Sequence, residues 1–449
     1  MHRAKFLAAA SAVTAIALFS ACSKGPATPP EAGPVLPFVE NDYAAALAQA
    51  KERNVPLFVD VWAPWCHTCR FMHAHVFTDA ALAEHAGRFA WLSVDVEHPG
   101  NVAFLEKFPW EAVPSFLVID PATEKIVYEW LGNADLPELV RRFGEAERAM
   151  DGGSGDAAAV ALAQADRLYG EDHKAEAAAL YRKAIDAGGP GWSERERAIE
   201  SMVVGLAISA FTSPEAIQAC AQSAVDEAPG LTRGPTFANV VSAGLGCAVA
   251  ADDTAEWRGP AIAALEPLAL EAVALPDLLG DDRSGLYQSL VDAREVIGDE
   301  AGAKRVAEQW FEFLERATVE ADNAEVRMAY DSHRVEAALA LGDPARALPA
   351  LEASARDLPD DYNPPANMAV VLAELDRYDE ALAAADRALA KAYGPRKIGI
   401  YETRAKILEQ SGDAAAARTT REDALAYSRT LPPSPRVDRA IRRLEKRLS

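Results

Sequence analysis

Between residues 57 and 131 short apolar runs alternate with amphipathic stretches, and the two periods assign the elements. "LFVDVWA" (57–63), "FAWLSVDV" (89–96), "SFLVID" (115–120) and "KIVYEWL" (125–131) are rich in β-branched and aromatic residues and predict strands. "DYAAALAQAKERN" (42–54), "CRFMHAHVFTDAALAEHA" (69–86), "NVAFLEKF" (101–108) and "ADLPELVRRFGEAERAM" (134–150) predict helices. The first three strands are separated by helical crossovers and the last two by a tight hairpin, so a mixed sheet flanked by helices is expected.

"DGGSGD" (151–156) breaks this pattern as a linker. Beyond it the β signal vanishes, leaving Ala-rich helices that end at Gly- or Asp-containing turns. Aligned on those turns, "AQADRLYGEDHKAEAAALYRKAI", "AVVLAELDRYDEALAAADRAL" and "RAKILEQSGDAAAARTTREDAL" repeat one unit, with weaker copies at "VIGDEAGAKRVAEQW" and "LALGDPARALPAL". The turn residues Gly342, Asp376 and Gly412 lie 34 and 36 positions apart. With Tyr378, Ala381, Ala388 and Leu389 at their places, this resembles the tetratricopeptide repeat. The resemblance implies an all-α solenoid over 157–431 and a concave surface for an unidentified protein partner. For the middle part, 190–330, a generic helical bundle or an irregular α-solenoid stays open as the alternative. Val437, Ala440, Ile441, Leu444 and Leu448 recur at helical spacing among the closing arginines, so 432–449 reads as a capping helix.

The formal net charge of −23 excludes nucleic acid as a partner, since phosphates would be repelled. At the N-terminus Arg3 and Lys5 precede the apolar "FLAAASAVTAIALF". That run spans about 21 Å as a helix, too short to cross a bilayer, and 1–21 reads as an export signal. Ser20 and Ala21 before Cys22 resemble a bacterial lipoprotein box, with Phe19 where that family usually has Leu. The resemblance implies a lipidated Cys22 and a periplasmic protein anchored to a membrane, the outer one favoured by Ser23. Plain cleavage after Ala21 is the alternative. The Pro-rich "SKGPATPPEAGPVLP" completes a tether over 22–37.

Export brings oxidising surroundings, so each cysteine needs a fate. Lipidation of Cys22 leaves four: Cys66, Cys69, Cys220 and Cys247. Cys220 and Cys247 sit in apolar helical stretches separated by a turn, and a structural disulfide worth about 3 kcal/mol is expected. Two buried free thiols are the alternative.

"VDVWAPWCHTC" (59–69), with "AVPSFLVID" (112–120), resembles thioredoxin over about 40–148, and within it "FTDAALAEHA" (77–86) is similar to the C-terminal domain of the DsbD electron carriers. The resemblance implies a thioredoxin fold over 38–150, an exposed nucleophile at Cys66 and a buried resolving thiol at Cys69. It sets Val113–Pro114 at the cis-proline position that helps hold substrate. It makes Asp60 the buried aspartate of proton transfer at the resolving cysteine, though Trp91 stands where the family has a partner lysine. Gly132 matches the glycine ending the last strand. Trp65 reads as substrate surface and Trp62 as core.

The chemistry is consistent with these roles. A cysteine at a strand-to-helix junction faces free N–H groups and the positive helix end, which favour thiolate. His67, when protonated, lowers the thiol pKa further and pulls the couple toward oxidation. A purely structural Cys66–Cys69 bond would close a tiny loop and constrain little. A metal reading rests on His67, His73, His75 and His85 around the pair, with copper its best candidate, but no second arm of paired ligands is present. Otherwise His73, His75 and His85 read as solvated helix residues. Arg70 after Cys69 rules out the haem-attachment motif. The expected protein is a thiol–disulfide oxidoreductase with no cofactor beyond its own redox-active disulfide and no metal. It would take electrons from a membrane donor and reduce exported proteins. The alternative is a tetratricopeptide scaffold with a redox-sensing or copper-handling domain.

Overall fold

The computed structural model describes residues 35–150, 156–210 and 214–449. The export signal, Cys22, the tether up to residue 34 and the linker residues 151–155 lie outside the described residues.

The first elements run β1 (Phe38–Glu40), α1 (Tyr43–Arg53), β2 (Leu57–Trp62), α2 (His67–Phe71), β3 (Ala90–Asp95), α3 (Val102–Lys107), β4 (Ser115–Asp120), β5 (Lys125–Leu131) and α4 (Leu136–Met150). The sheet order is β1-β3-β2-β4-β5. β3 pairs parallel with β1 and β2, whereas β4 pairs antiparallel with β2 and β5. The mixed sheet follows from the connections, because helical crossovers join β1, β2 and β3 and a four-residue turn joins β4 to β5. Strand β1 has no counterpart in the expected elements. Three residues are too few to show a period, and β1 exists through its pairing with β3.

The expected helix over 69–86 is broken into α2, a π-helical turn Met72–Val76 and a 3-10 turn Ala80–His85. Asp79 accepts the N–H of Ala81 and starts a new turn where the periodicity predicts a continuous helix.

Alternation along β2 divides the core. Leu57, Val59 and Val61 face α1 and α3, in a cluster that also holds Cys66 and Cys69. Phe58 faces the other way, toward Phe116, Trp130 and Phe143, in a core that runs on without interruption into the helical region.

From Ala157–Gly170 to Pro435–Leu448 the described residues form α-helices and short 3-10 turns. Gly342, Asp376 and Gly412 take positive φ at the turns between successive helices, and Ala381, Ala384, Ala385 and Ala388 are fully buried where helices meet. The helical region returns to the sheet domain at several points. Arg142 of α4 bonds Glu200 at 2.9 Å, both buried. Asn363 Nδ2 donates to the carbonyl of Pro64 at 2.8 Å, and Tyr393 donates to Asp95 at 2.6 Å. Among the described residues no helix is long and apolar enough to cross a membrane.

Candidate redox site

Strand β2 ends at Trp62, and the chain turns through Pro64 and Trp65 into α2, whose N-cap is Cys66. The Cys66 Sγ accepts the Cys69 N–H at 3.1 Å, so the sulfur sits on the free donors of the first turn. Cys66 and Cys69 are joined by a disulfide, with Cα atoms 5.3 Å apart. Ser115 pairs with Val61, which brings Pro114 to the sheet end where the cysteine loop leaves; the Val113–Pro114 bond is cis. Gly132, with φ of 86°, donates its N–H to the Pro114 carbonyl at 3.1 Å.

Cys66 was expected to be exposed, and here the expectation fails. It is 5% exposed and Cys69 is 0% exposed. Cys66 belongs to a sheet-domain cluster against which Trp65 and Val113 pack, and the helices Gly280–Val296 and Asp331–Leu341 and the short helix Ala324–Ala329 of the helical region pack on α2 and its flank beside it. Arg70, directly after Cys69, pairs with Glu325 and, at 2.8 Å, with Asp361.

Trp65 is likewise half-buried. Its indole N–H donates to Glu97 at 2.7 Å, and the guanidinium groups of Arg396 and Arg436 each lie 5.7 Å from its rings. Trp62, read as core, is also only partly covered and lies against the His73 ring at 4.6 Å.

Asp60 is buried on the Phe58 side of β2. Its Oδ2 is 2.5 Å from Nε2 of His73, while its Oδ1 has no hydrogen-bond partner among the described residues. His73 therefore occupies the place next to the aspartate that no lysine fills; it is a partner and not a solvated helix residue. His75 is exposed, and His85 bonds Arg88 at 3.1 Å. The histidines after Cys69 thus go to separate places.

Two residues that sequence reading missed reach the pair from the helical region. Asp281 Oδ1 lies 2.7 Å from Nδ1 of His67, and its Oδ2 accepts from the Thr68 hydroxyl at 2.7 Å. His333 Nε2 is 3.0 Å from Nε2 of His67. In the sequence Asp281 looks like a first-turn helix acid and His333 like any helix residue, so no local signal distinguishes them. Burial pulls the His67 pKa down, but the Asp281 carboxylate outweighs it and the net shift is upward. Asp281 itself ends at about 2, because the His67 charge and hydrogen bond overcome burial. His333 falls to about 3 through burial and then the neighbouring His67 charge.

These three side chains offer ligand atoms within 4.8 Å of one another. Asp281 holds one nitrogen of the His67 ring and His333 the other, so the contacts run as a hydrogen-bonded chain and do not converge on one point. Cys220 and Cys247, far from this site in sequence, are joined by a disulfide with Cα atoms 6.2 Å apart.

Residues 39–121 match the family model described as thioredoxin-like. A thioredoxin H-type of Oryza sativa subsp. indica is 38% identical over 88 residues, 19% of this chain and 66% of that protein. The thiol:disulfide interchange protein DsbD of Pseudoalteromonas atlantica is 27% identical over 82 residues, 18% of this chain and 14% of its own. The chain therefore spans less than two thirds of either relative's length. A crystal structure of the APC/C hetero-tetramer Cut9–Hcn1 overlays 68% of this chain and 54% of that one at 13% identity, with a TM-score of 0.31, too slight a likeness to speak for kinship. The sheet domain is thus thioredoxin-like and carries a CxxC pair, and an all-helical region follows it.

Proposed function

We propose that this protein is an exported thiol–disulfide oxidoreductase of the bacterial periplasm, tethered to a membrane, the outer one favoured, through lipid on Cys22. It takes electrons from a membrane donor and reduces disulfides of exported proteins through Cys66 and Cys69. The observation that carries this reading is the asymmetry of the two sulfurs. Cys66 caps α2 and accepts a backbone N–H, whereas Cys69 is fully enclosed one turn behind it. In the reduced state the Cys66 thiolate attacks a client disulfide, forming a mixed disulfide and releasing one client thiolate, which takes up a proton. Cys69, deprotonated, then attacks the Cys66 sulfur, and the second client thiolate leaves. Two electrons pass to the client and the Cys66–Cys69 bond reforms. The likeness to DsbD, a thiol:disulfide interchange protein by name, supports thiol–disulfide exchange. The couple is expected on the reducing side of the gap between about −200 and about −120 mV.

The helical region is the proposed partner surface. Beside Trp65 a groove of about 740 Å³ is lined by Arg396, Lys406, Arg421, Arg436, Arg443 and Arg447 together with Glu402 and Glu409, which pair with Arg447 and Arg421, so cations outnumber acids there in a chain of net charge −23. An acidic client segment is complementary to it.

The test is reduction of insulin disulfides by the full chain, with Cys66→Ala as the control and Cys69→Ala to trap mixed disulfides with clients. A rate that survives Cys66→Ala would refute the reading. A redox-sensing scaffold is the second reading, and the 5% exposure of Cys66 favours it. The same assay separates the two, because a sensor is oxidised once and does not turn over. Mass spectrometry of the membrane fraction checks the anchor, which requires a lipidated Cys22 at the mature N-terminus.

A further inference from the structure

We infer that Asp281, supplied by the helical region, is a positioning residue for the Cys66–Cys69 couple, acting through His67. The inference rests on the oxidoreductase reading above and concerns how the second region sets the first one's chemistry.

The geometry is specific. The two residues between the cysteines are His67 and Thr68, and the Asp281 carboxylate holds both, one oxygen at 2.7 Å from each side chain. The carboxylate side chain is 4% exposed. A buried carboxylate with only neutral donors is costly, so a cationic partner is favoured there. His67 is that partner: its Nδ1–H points to Asp281, leaving Nε2 toward His333 at 3.0 Å.

A contact of two ring nitrogens needs one proton between them. His333 Nδ1 in turn contacts the Ser284 hydroxyl, which accepts from the Trp310 indole at 2.6 Å. Two proton states satisfy this chain. In one, His67 is an imidazolium donating at both nitrogens, and His333 is neutral and donates to Ser284. In the other, His67 is neutral and accepts from His333, which accepts from the Ser284 hydroxyl. Both keep every ring nitrogen bonded, so His67 gains or loses a proton without breaking the network. Asp281 selects the first state. The upward shift at His67 and the low value at His333 agree with that selection.

The other groups near His67 do not reverse it. Glu336, on the same helix as His333, adds negative charge, and its own carboxyl is pushed up by burial. Asp282, next to Asp281, has its carboxyl pushed well above its ordinary value by burial and then by the Asp281 charge, which weakens its own negative charge near His67. Asn133 and Asn239, which line the small cavity of about 160 Å³ beside His67, are neutral.

The consequence reaches Cys66 through charge. An imidazolium on the residue after the nucleophile stabilises thiolate, and a stabilised thiolate raises the potential of the couple. Removing the Asp281 charge removes the reason for His67 to hold its second proton. Asp281→Asn should therefore raise the Cys66 thiol pKa and make the pair a stronger reductant. The expected shift is about tenfold in the equilibrium constant with glutathione, or about 30 mV for this two-electron couple.

The experiment measures that constant and the pH dependence of Cys66 alkylation in the full chain for wild type, Asp281→Asn, His67→Asn and the double variant. Both single variants should shift alike, and the double variant no further, because Asp281 acts through His67. An unchanged constant in Asp281→Asn, or additive shifts in the double variant, would overturn the inference. Nitrogen NMR of His67 in the wild-type chain covers the case of a variant that does not fold. A doubly protonated ring at pH about 7 supports the inference, and a neutral ring overturns it. If the wild-type pair does not exchange with glutathione at all, the oxidoreductase reading fails, while the NMR result still decides whether Asp281 sets the state of His67.

Discussion

Asp60 depends on one contact. One of its carboxyl oxygens meets His73 and the other has no hydrogen-bond partner among the described residues, in a side chain that is 2% exposed. His73→Ala should cost about 2 kcal/mol in urea unfolding, since it leaves a buried polar group without any partner. Asp60→Asn in the same background should not restore the loss, because the amide needs the same partners; a loss near zero would mean that water replaces His73.

His333 makes a separate and signed contribution. Its folded value of about 3 lies below the ordinary 6.5, so between those values the unfolded chain binds a proton that the folded chain refuses. The stability it brings is full above pH 6.5 and is lost as pH falls, at up to about 1.4 kcal/mol per pH unit. His67 works in the opposite window: its folded value is raised, so its contribution is full below 6.5 and is lost as pH rises through the folded value. Asp331 and Glu129, each pushed up to about 7 by burial, gain stability as pH falls and oppose His333. The difference between His333→Asn and wild type isolates the effect. The variant should lose less stability than wild type between pH 6.5 and 4.5, and a pH-independent difference would refute the assignment.

At the scale of elements, the helices Pro214–Glu227 and Pro235–Ala250 approach unusually closely. A Cβ on Gly244 would lie 2.1 Å from that of Ala224, so only glycine admits this packing. The same approach brings Cys220 and Cys247 within bonding reach. Their bond closes 27 positions of chain, which the loop-entropy model values at about 3.5 kcal/mol. Replacing both cysteines by alanine should lower the unfolding free energy in guanidinium by about that amount. A loss under about 1 kcal/mol would show that the unfolded loop is already ordered without the bond.

At the scale of the whole molecule, the C-terminal helices hold the loop that leads into Cys66. Glu97 is 1% exposed and accepts from Trp65, from Arg436 at 2.7 Å and from the backbone N–H of Arg396 at 2.6 Å. It joins the thioredoxin-like domain to the far end of the chain. Glu97→Gln keeps the size but removes the charge that the guanidinium meets, which should loosen this cover. Alkylation of reduced Cys66 should then run several-fold faster than in wild type, measured at pH about 9 so that thiolate content is matched. An unchanged rate would mean that access to the sulfur does not pass through this contact.

Periodicity alone determined the long strands, the helical region and the turns at Gly342, Asp376 and Gly412, because local burial patterns and positive-φ turn residues are written within a few positions. The cysteine pair was equally legible, since its chemistry needs only a strand, a turn and a helix start. Strand β1 and the break after α2 were not, as one is too short to show a period and the other turns on a single capping aspartate. The surroundings of the site were decided by tertiary structure. Asp281 lies 214 positions from His67 and His333 lies 266 away. A period tells which face of a helix is buried but not what is buried against it. That choice belongs to the path of the helices around the thioredoxin-like domain, which sets two helical side chains against His67.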